Sequence, residues 1–219
     1  MKRHSEPGTV PTINGWQEYA RYQAPNGHRF GWLSDDFFVP PPPFTYHGQT
    51  IFLFPALEPT NGTAIIQPVL QYGPSAAGGG QFWAIASWWL PSSGGTFFST
   101  LKRVNSGDKL TGVMNNSSGN NWAIITLDNT LGINTELDIA DATQFRWAFG
   151  GALELYGVTS CNDLPQTGSK NDNFNNFTII LEDNSFRSWP NSAFTSVTQS
   201  IPICSWSVTS NSSVITLWW

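Results

Sequence analysis

The stretch from Phe37 to Gly73 reads FFVPPPPFTYHGQTIFLFPALEPTNGTAIIQPVLQYG. Proline cannot donate to a β-ladder, so the four prolines at 40–43 end one strand and act as a connector. The turn signal PTNG then separates two apolar runs, which predicts strands at Thr50–Phe54 and Ala64–Gln71. The second run carries a glutamine, Gln67, among its apolar residues.

The same alternation of short apolar runs and turn residues continues along the chain. Further strands are predicted at Gln81–Trp89, Phe97–Val104, Lys109–Met114, Trp122–Asp128, Thr135–Ile139, Arg146–Tyr156, Phe177–Glu182, Ile203–Thr209 and Ser213–Trp218. No convincing amphipathic helix lies between them. This order predicts an all-β fold, an antiparallel β-sandwich of two curved sheets in a concanavalin-like arrangement, with a groove on the concave face.

A chain of 219 residues fits one such sandwich, so we expect a single domain over residues 1–219. Residues 1–14 are rich in polar residues, proline and glycine, and are expected to be a loose N-terminal segment. Trp16–Gln23 is compatible with an edge strand or one helical turn. No apolar run approaches the roughly 20 residues of a membrane helix.

Composition narrows the classes of partner. Charged residues are 11% of the chain, the net charge is −5 and the basic residues are scattered singly, so no basic stripe exists to bind nucleic acid.

Cys161 and Cys204 leave one possible intramolecular disulfide. The histidines have no carboxylate at ligand spacing, so no metal or other cofactor is expected. No signal peptide is visible, yet low charge and five glycosylation sequons favour an extracellular protein.

Side chains two apart on a strand share a face, which groups the polar residues of three strands. Gln67 and Gln71 share a face of one strand, Ser87 and Trp89 of the next, and Glu154 and Tyr156 of a later one, GGALELYG at 150–157. If all three faces are the concave one, these six side chains form a polar centre with aromatic walls.

Six short motifs, in order, resemble those of the glutamic peptidases, the eqolisins, from about Trp32 to Glu182. The family's F-T-V-P, Gly-Ile-Asp, I-L-Q, Glu-Trp-Tyr, E-G-D-x-I and A-E-W correspond to Phe37–Pro40, Ala56–Glu58, Ile65–Gln67, Ser87–Trp89, Ser106–Leu110 and Leu153–Glu154. The resemblance implies a β-sandwich acid endopeptidase with Gln67 and Glu154 as the catalytic pair. It also implies attack by water directly on the peptide bond, without an acyl-enzyme or a metal.

The other groove residues, Glu58, Gln71, Ser87, Trp89 and Tyr156, are expected to bind a peptide or protein substrate, with the protein acting as a monomer. Two of them depart from the family pattern. Ser87 stands where the family has a second carboxylate, and Gln71 where it has an Asp, so an inactive homologue is an alternative.

Two further functions are compatible with the same residues. A lectin-like, carbohydrate-binding β-sandwich would use exposed Trp and Tyr rings to stack on sugars. A glycoside hydrolase would use Glu58 and Glu154, with carboxyl groups about 5 to 9.5 Å apart. Neither a G-x-S-x-G elbow nor a Cys–His pair appears, which disfavours serine and cysteine nucleophiles.

Overall fold

Two antiparallel sheets form an open sandwich, as predicted. The computed structural model describes residues 12–168, 170–183, 186–187, 194–199, 204–211 and 214–219. Its strands are β1 (Ile13–Gln23), β2 (Phe30–Phe38), β3 (Thr50–Glu58), β4 (Ile65–Ser75), β5 (Gly78–Leu90), β6 (Phe97–Phe98), β7 (Lys102–Arg103), β8 (Lys109–Ser118), β9 (Asn121–Asp128), β10 (Ile133–Ala140), β11 (Trp147–Val158), β12 (Asn171–Leu181), β13 (Phe186–Arg187), β14 (Thr195–Thr198), β15 (Ser207–Ser210) and β16 (Val214–Trp218).

Sheet A has the order β14-β1-β11-β3-β4-β5-β6, with β7 paired to β5. Sheet B has the order β10-β9-β8-β2-β12-β16-β15, with β13 paired to β12. In the described residues the helical structure is one 3-10 turn, Cys161–Asp163. That part of the chain contains no helix long and apolar enough to cross a membrane.

The N-terminal part of the chain was expected to contain a loose segment, residues 1–14, followed by an edge strand or a helical turn at Trp16–Gln23. Residues 1–11 of the segment expected to be loose lie outside the described residues. Ile13 already begins β1, which is a strand rather than a helical turn. Strand β1 is not at the edge of sheet A, because β14 pairs with its outer side.

The run Phe97–Val104, expected as one strand, forms two short strands, β6 and β7. The cause lies at Ser99, whose backbone N–H donates to the Ser87 carbonyl at 2.9 Å. The Ser99 hydroxyl, rather than a backbone carbonyl, accepts the Ser87 N–H at 2.8 Å. A side chain thus replaces one bond of the ladder, and regular pairing with β5 stops there.

The sheets approach closely because glycines occupy two contact points. A Cβ at Gly112 of β8 would lie 2.6 Å from the Pro68 ring, and a Cβ at Gly151 of β11 would lie 2.7 Å from the Phe174 ring. Around these points the apolar interior includes Leu53 and Leu70 from sheet A. A side chain at either glycine would force the sheets apart.

Sheet A also carries an irregularity across its middle strands. The β3–β4 ladder is interrupted between the pairs Leu53–Leu70 and Leu57–Ile66, where Pro55 and Pro68 lie. Beside this interruption, the pairing of β11 with β3 shifts register between Phe149 and Ala152. Prolines without a donor and an inserted bulge both favour bending of a sheet, and this row of sheet A contains both.

A buried carboxylate ties together the loops behind one end of sheet A. Asp163, 1% exposed, accepts hydrogen bonds from the Thr45 hydroxyl, the His47 ring and the Thr159 and Ser160 backbone N–H groups. These donors hold the pKa of Asp163 well below its usual range, although burial opposes them. Next to it, Cys161 and Cys204 form a disulfide.

In the part of the chain that the structure describes, the buried carboxyl groups of Glu18, Asp35 and Asp172 make no ion pair with a cation. Burial raises the pKa of Glu18 on β1 to about 8 and that of Asp172 on β12 to about 8. Burial, assisted by the nearby charges of Asp36 and Asp172, also raises the pKa of Asp35 on β2. At acidic pH these side chains are therefore neutral acids.

We predict that the free energy of unfolding falls as the pH rises from about 4, the pKa of an unfolded carboxyl, to about 8. Over that range the folded chain keeps protons that the unfolded chain has released, so the slope of stability against pH is negative. Urea unfolding at pH 4, 6 and 8 measures it. Glu18→Gln and Asp172→Asn should flatten the slope, and a stability that rises with pH contradicts the prediction.

Candidate active site

A groove of about 390 Å³ lies on the face of sheet A that points away from sheet B. Its lining includes Gln67, Glu154, Tyr156, Phe52, Trp88 and Leu90. An apolar layer that contains Phe54, Val69 and Ala86 forms the same face of the sheet. The groove thus combines a few polar groups with a largely apolar surround.

Gln67 enters the groove from β4. It pairs with Trp88 of β5, so both side chains point to the same face of the sheet. The residue is 8% exposed, and among the described residues its amide has no hydrogen-bond partner. The amide is therefore available to a water molecule or a ligand.

Glu154 enters the same groove from β11, where it pairs with Phe52 of β3. Partial burial raises the pKa of its carboxyl, and one hydrogen bond opposes this effect. That bond comes from the Tyr156 hydroxyl, which donates to Oε1 at 2.6 Å. The structure thus brings the two residues of the expected catalytic pair to one groove.

Glu58 lies at the end of β3, on the same face as Phe52 by alternation. Its pKa is raised to about 7, chiefly by burial, with a further contribution from the negative charge of Glu154. The positive charge of Arg21 opposes these effects. The Arg21 guanidinium stacks on Trp147, with its Cζ 4.4 Å from the centre of the Trp147 ring. Glu58 is thus coupled electrostatically to the groove, although it does not line it.

Gln71 shares the face of Gln67 but is fully buried. Its amide donates to the carbonyls of Gly73 and Gly78, and its Oε1 accepts a hydrogen bond from the Ser75 hydroxyl. These bonds hold the β4–β5 hairpin, of which Pro74, Ser75 and Ala76 line the groove. Gln71 therefore does not line the groove, as was expected, but holds in place the hairpin residues that do.

The expectation that Ser87 and Trp89 face the groove is wrong. Because Gln67 pairs with Trp88, the residues on either side of Trp88 point into the sandwich. Ser87 is fully buried, with its hydroxyl 3.1 Å from the Thr135 carbonyl on sheet B. The Trp89 indole donates to an Asp141 carboxylate oxygen at 2.8 Å.

An aromatic wall takes the place expected for Trp89. The Trp88 ring lies 6.0 Å from the Phe52 ring and 5.2 Å from the Phe98 ring, between centroids. The doublet Trp88-Trp89 contains the signal for this wall, because one of two adjacent strand residues must face the groove. Periodicity alone does not tell which one.

No arrangement for a metal is present in the part of the chain that the structure describes, where no group of three or more His, Cys, Asp or Glu side chains converges. His47, the histidine closest to a carboxylate network, hydrogen bonds to the buried Asp163. Its role there is to fasten a loop.

The fold is similar to that of solved glutamic peptidases. A scytalidoglutamic peptidase with a transition-state analogue inhibitor matches with a TM-score of 0.71 at 10% identity, over 95% of this chain and 100% of that chain. SCP-B, a member of the eqolisin family in complex with the tripeptide Ala-Ile-His, matches with 0.66 at 10% over the same shares. Aspergilloglutamic peptidase from Aspergillus niger matches with 0.53 at 11%, over 78% and 98%.

No protein-family model matches the sequence, and no curated protein does. The similarity to the solved structures confirms the resemblance indicated by the sequence motifs at the level of the fold, a β-sandwich shared with the glutamic peptidases.

We predict that Ser87→Ala lowers the free energy of unfolding by about 1 kcal/mol, because it removes buried hydrogen bonds to Thr126 and Thr135. Urea unfolding measures the loss, and Ser92→Ala, at an exposed serine, is the matched control. An unchanged unfolding midpoint for Ser87→Ala would place this hydroxyl outside the interior.

We also predict that Glu154→Gln lowers the pKa of Glu58 below its value of about 7, because a nearby negative charge is removed. Titration of ¹³C-labelled glutamate carboxyls by NMR measures the change. Glu136→Gln, at an exposed position on β10, should leave the Glu58 titration unchanged. Equal titration of Glu58 in all three proteins contradicts the coupling.

Proposed function

We propose that this chain is an endopeptidase of the glutamic type, which hydrolyses peptide bonds at acidic pH. One observation carries the proposal: an unpartnered glutamine amide and a desolvated carboxyl line one groove. The fold supports it, since structures with this fold hold a peptide-based transition-state analogue and a tripeptide. Together these observations favour a peptide in the groove.

In this proposal, ionised Glu154 takes a proton from a water molecule whose oxygen attacks the carbonyl carbon of the scissile bond. The Gln67 amide donates a hydrogen bond to the oxyanion as the carbonyl becomes tetrahedral. Glu154 then gives its proton to the leaving amine, the C–N bond breaks, and the carboxylate is restored. The protein supplies all groups that the cycle needs.

An acidic working range follows from the electrostatics of the groove. Below about pH 7, Glu58 is protonated and adds no negative charge beside Glu154. As the pH rises through 7, Glu58 ionises and adds, outside the groove, a negative charge that is coupled to that of Glu154. The decrease of fold stability over the same range acts in the same direction.

An oxidising, extracellular location is part of the proposal. The Cys161–Cys204 disulfide is typical of proteins outside the reducing cytosol. The acidic working range fits such a setting, and the substrate would be a peptide or protein met by the monomer.

The test is cleavage of a library of internally quenched peptides between pH 2 and 8. We expect cleavage by the parent protein, loss of turnover in Glu154→Gln, and a decrease of about 100- to 1000-fold in kcat for Gln67→Ala. Glu136→Gln is the matched control and should cleave like the parent. A chelator and a serine-directed reagent should have no effect.

A parent protein that cleaves no peptide, or a Glu154→Gln variant that cleaves at the parent's rate, contradicts the proposal. The first outcome indicates an inactive homologue.

A carbohydrate-binding role is the second candidate, favoured by partly exposed rings beside the groove. Tyr156 is 44% exposed and Phe98 38% exposed. Flat aromatic faces of this kind stack on sugar rings. A glycan array distinguishes the two functions: saturable sugar binding without peptide cleavage supports the lectin-like role and excludes the peptidase.

A further inference from the structure

Tyr156 makes a hydrogen bond to one of the two carboxylate oxygens of Glu154. The two residues are two apart on β11, so both side chains point into the groove. The tyrosine hydroxyl donates to Oε1 of Glu154 at 2.6 Å, and the ring lies 6.3 Å from the Phe52 ring between centroids. A fixed donor on one carboxylate oxygen makes the two oxygens chemically different.

The hydroxyl is a permanent donor over the working range of the protein. Burial and the adjacent Glu154 raise the pKa of Tyr156 to about 12, so the phenol never ionises in acid or neutral solution. The hydroxyl can therefore donate to Oε1 whether the carboxyl is ionised or neutral.

The other neighbours of Glu154 do not compete for this role. Trp16 of β1 and Phe52 of β3 pair with Glu154 on either side, and neither side chain titrates. Glu58, whose pKa is also raised by the charge of Glu154, offers no permanent donor, because it is itself an acid that ionises. Thr50, which pairs with Tyr156, lines the groove beside the phenol ring.

We propose that Tyr156 is a positioning residue: it occupies Oε1 of Glu154 and so reserves Oε2 as the atom that takes the proton from water and delivers it to the leaving amine. This inference rests on the proposed peptidase function. It differs from the role expected from the sequence, in which Tyr156 binds substrate through its ring. The hydroxyl, and not the ring, carries the effect.

Tyr156→Phe separates these two roles, because it removes the hydroxyl and keeps the ring. The hydrogen bond favours the ionised carboxylate, so its loss should raise the pKa of Glu154. NMR titration of ¹³C-labelled glutamate carboxyls measures this shift without any substrate, with the Glu154 resonance assigned from Glu154→Gln. Tyr22→Phe, far from the groove, is the matched control and should leave the resonance unmoved.

Kinetics provide the second measurement. Tyr156→Phe should decrease kcat about 10- to 100-fold with little change in KM, which corresponds to the loss of one hydrogen bond to a charged group. The acidic limb of its pH profile should move to higher pH, since a raised pKa leaves a larger fraction of Glu154 protonated, and so unable to act as a base, at each pH. Tyr156→Ala should raise KM in addition if the ring contacts substrate.

The outcomes are distinguishable. A Glu154 titration that is the same in Tyr156→Phe and the parent overturns the positioning role, whether or not the protein cleaves peptides. If Tyr156→Phe shifts the Glu154 titration but the parent protein cleaves no peptide, the hydrogen bond from Tyr156 to Glu154 is supported and only the proposed function is contradicted. Unchanged kcat in an active Tyr156→Phe variant that has the shifted titration also overturns the proposal, because orientation of Glu154 would then not affect turnover.

Discussion

The registers of four neighbouring strands, β11, β3, β4 and β5, decide what the groove contains. Pairing of Gln67 with Trp88 and of Glu154 with Phe52 fixes which side chains of sheet A face outward. A slip of one residue in either pairing would exchange every outward side chain for an inward one. The chemistry of the groove therefore depends on backbone pairing that also buries the apolar side of the sheet, and a groove of different polarity would require a different core.

The row that contains Pro55 and Pro68 affects the shape of sheet A. Pro55 and Pro68 interrupt the ladder in the middle of sheet A, and the register shift of β11 lies beside them. On a flat sheet, Glu58 would lie about 20 Å along the strand from the residue opposite Glu154, at roughly 3.3 Å per residue. Yet the charge of Glu154 contributes to the raised pKa of Glu58. Bending of the sheet at this row offers a physical reason for that coupling.

Sequence reasoning reached the fold and part of the groove, and the division has a physical basis. Short apolar runs and turn residues are local signals, so most strands and the all-β class were predictable. Gln67, Glu154 and Tyr156 were found because polar residues in apolar strands are conspicuous and the motifs around them resemble the glutamic peptidases. Ser87 and Trp89 were misplaced since periodicity groups residues by face without saying which face is which. The deciding register is the pairing of Gln67 with Trp88, which no local motif indicates.

The disulfide connects elements that belong to different layers. The two cysteines are 43 residues apart in the sequence, and the segment between them contributes β12 to sheet B and β14 to sheet A. Closing a loop of this length restricts the unfolded chain, and its two ends also anchor strands on both sides of the interior. While the bond is intact, it therefore opposes separation of the two sheets, which an exchange of strands with another molecule would require. A covalent restraint of this kind suits a protein whose interior contains carboxyl groups that ionise, and so weaken the fold, as the pH rises.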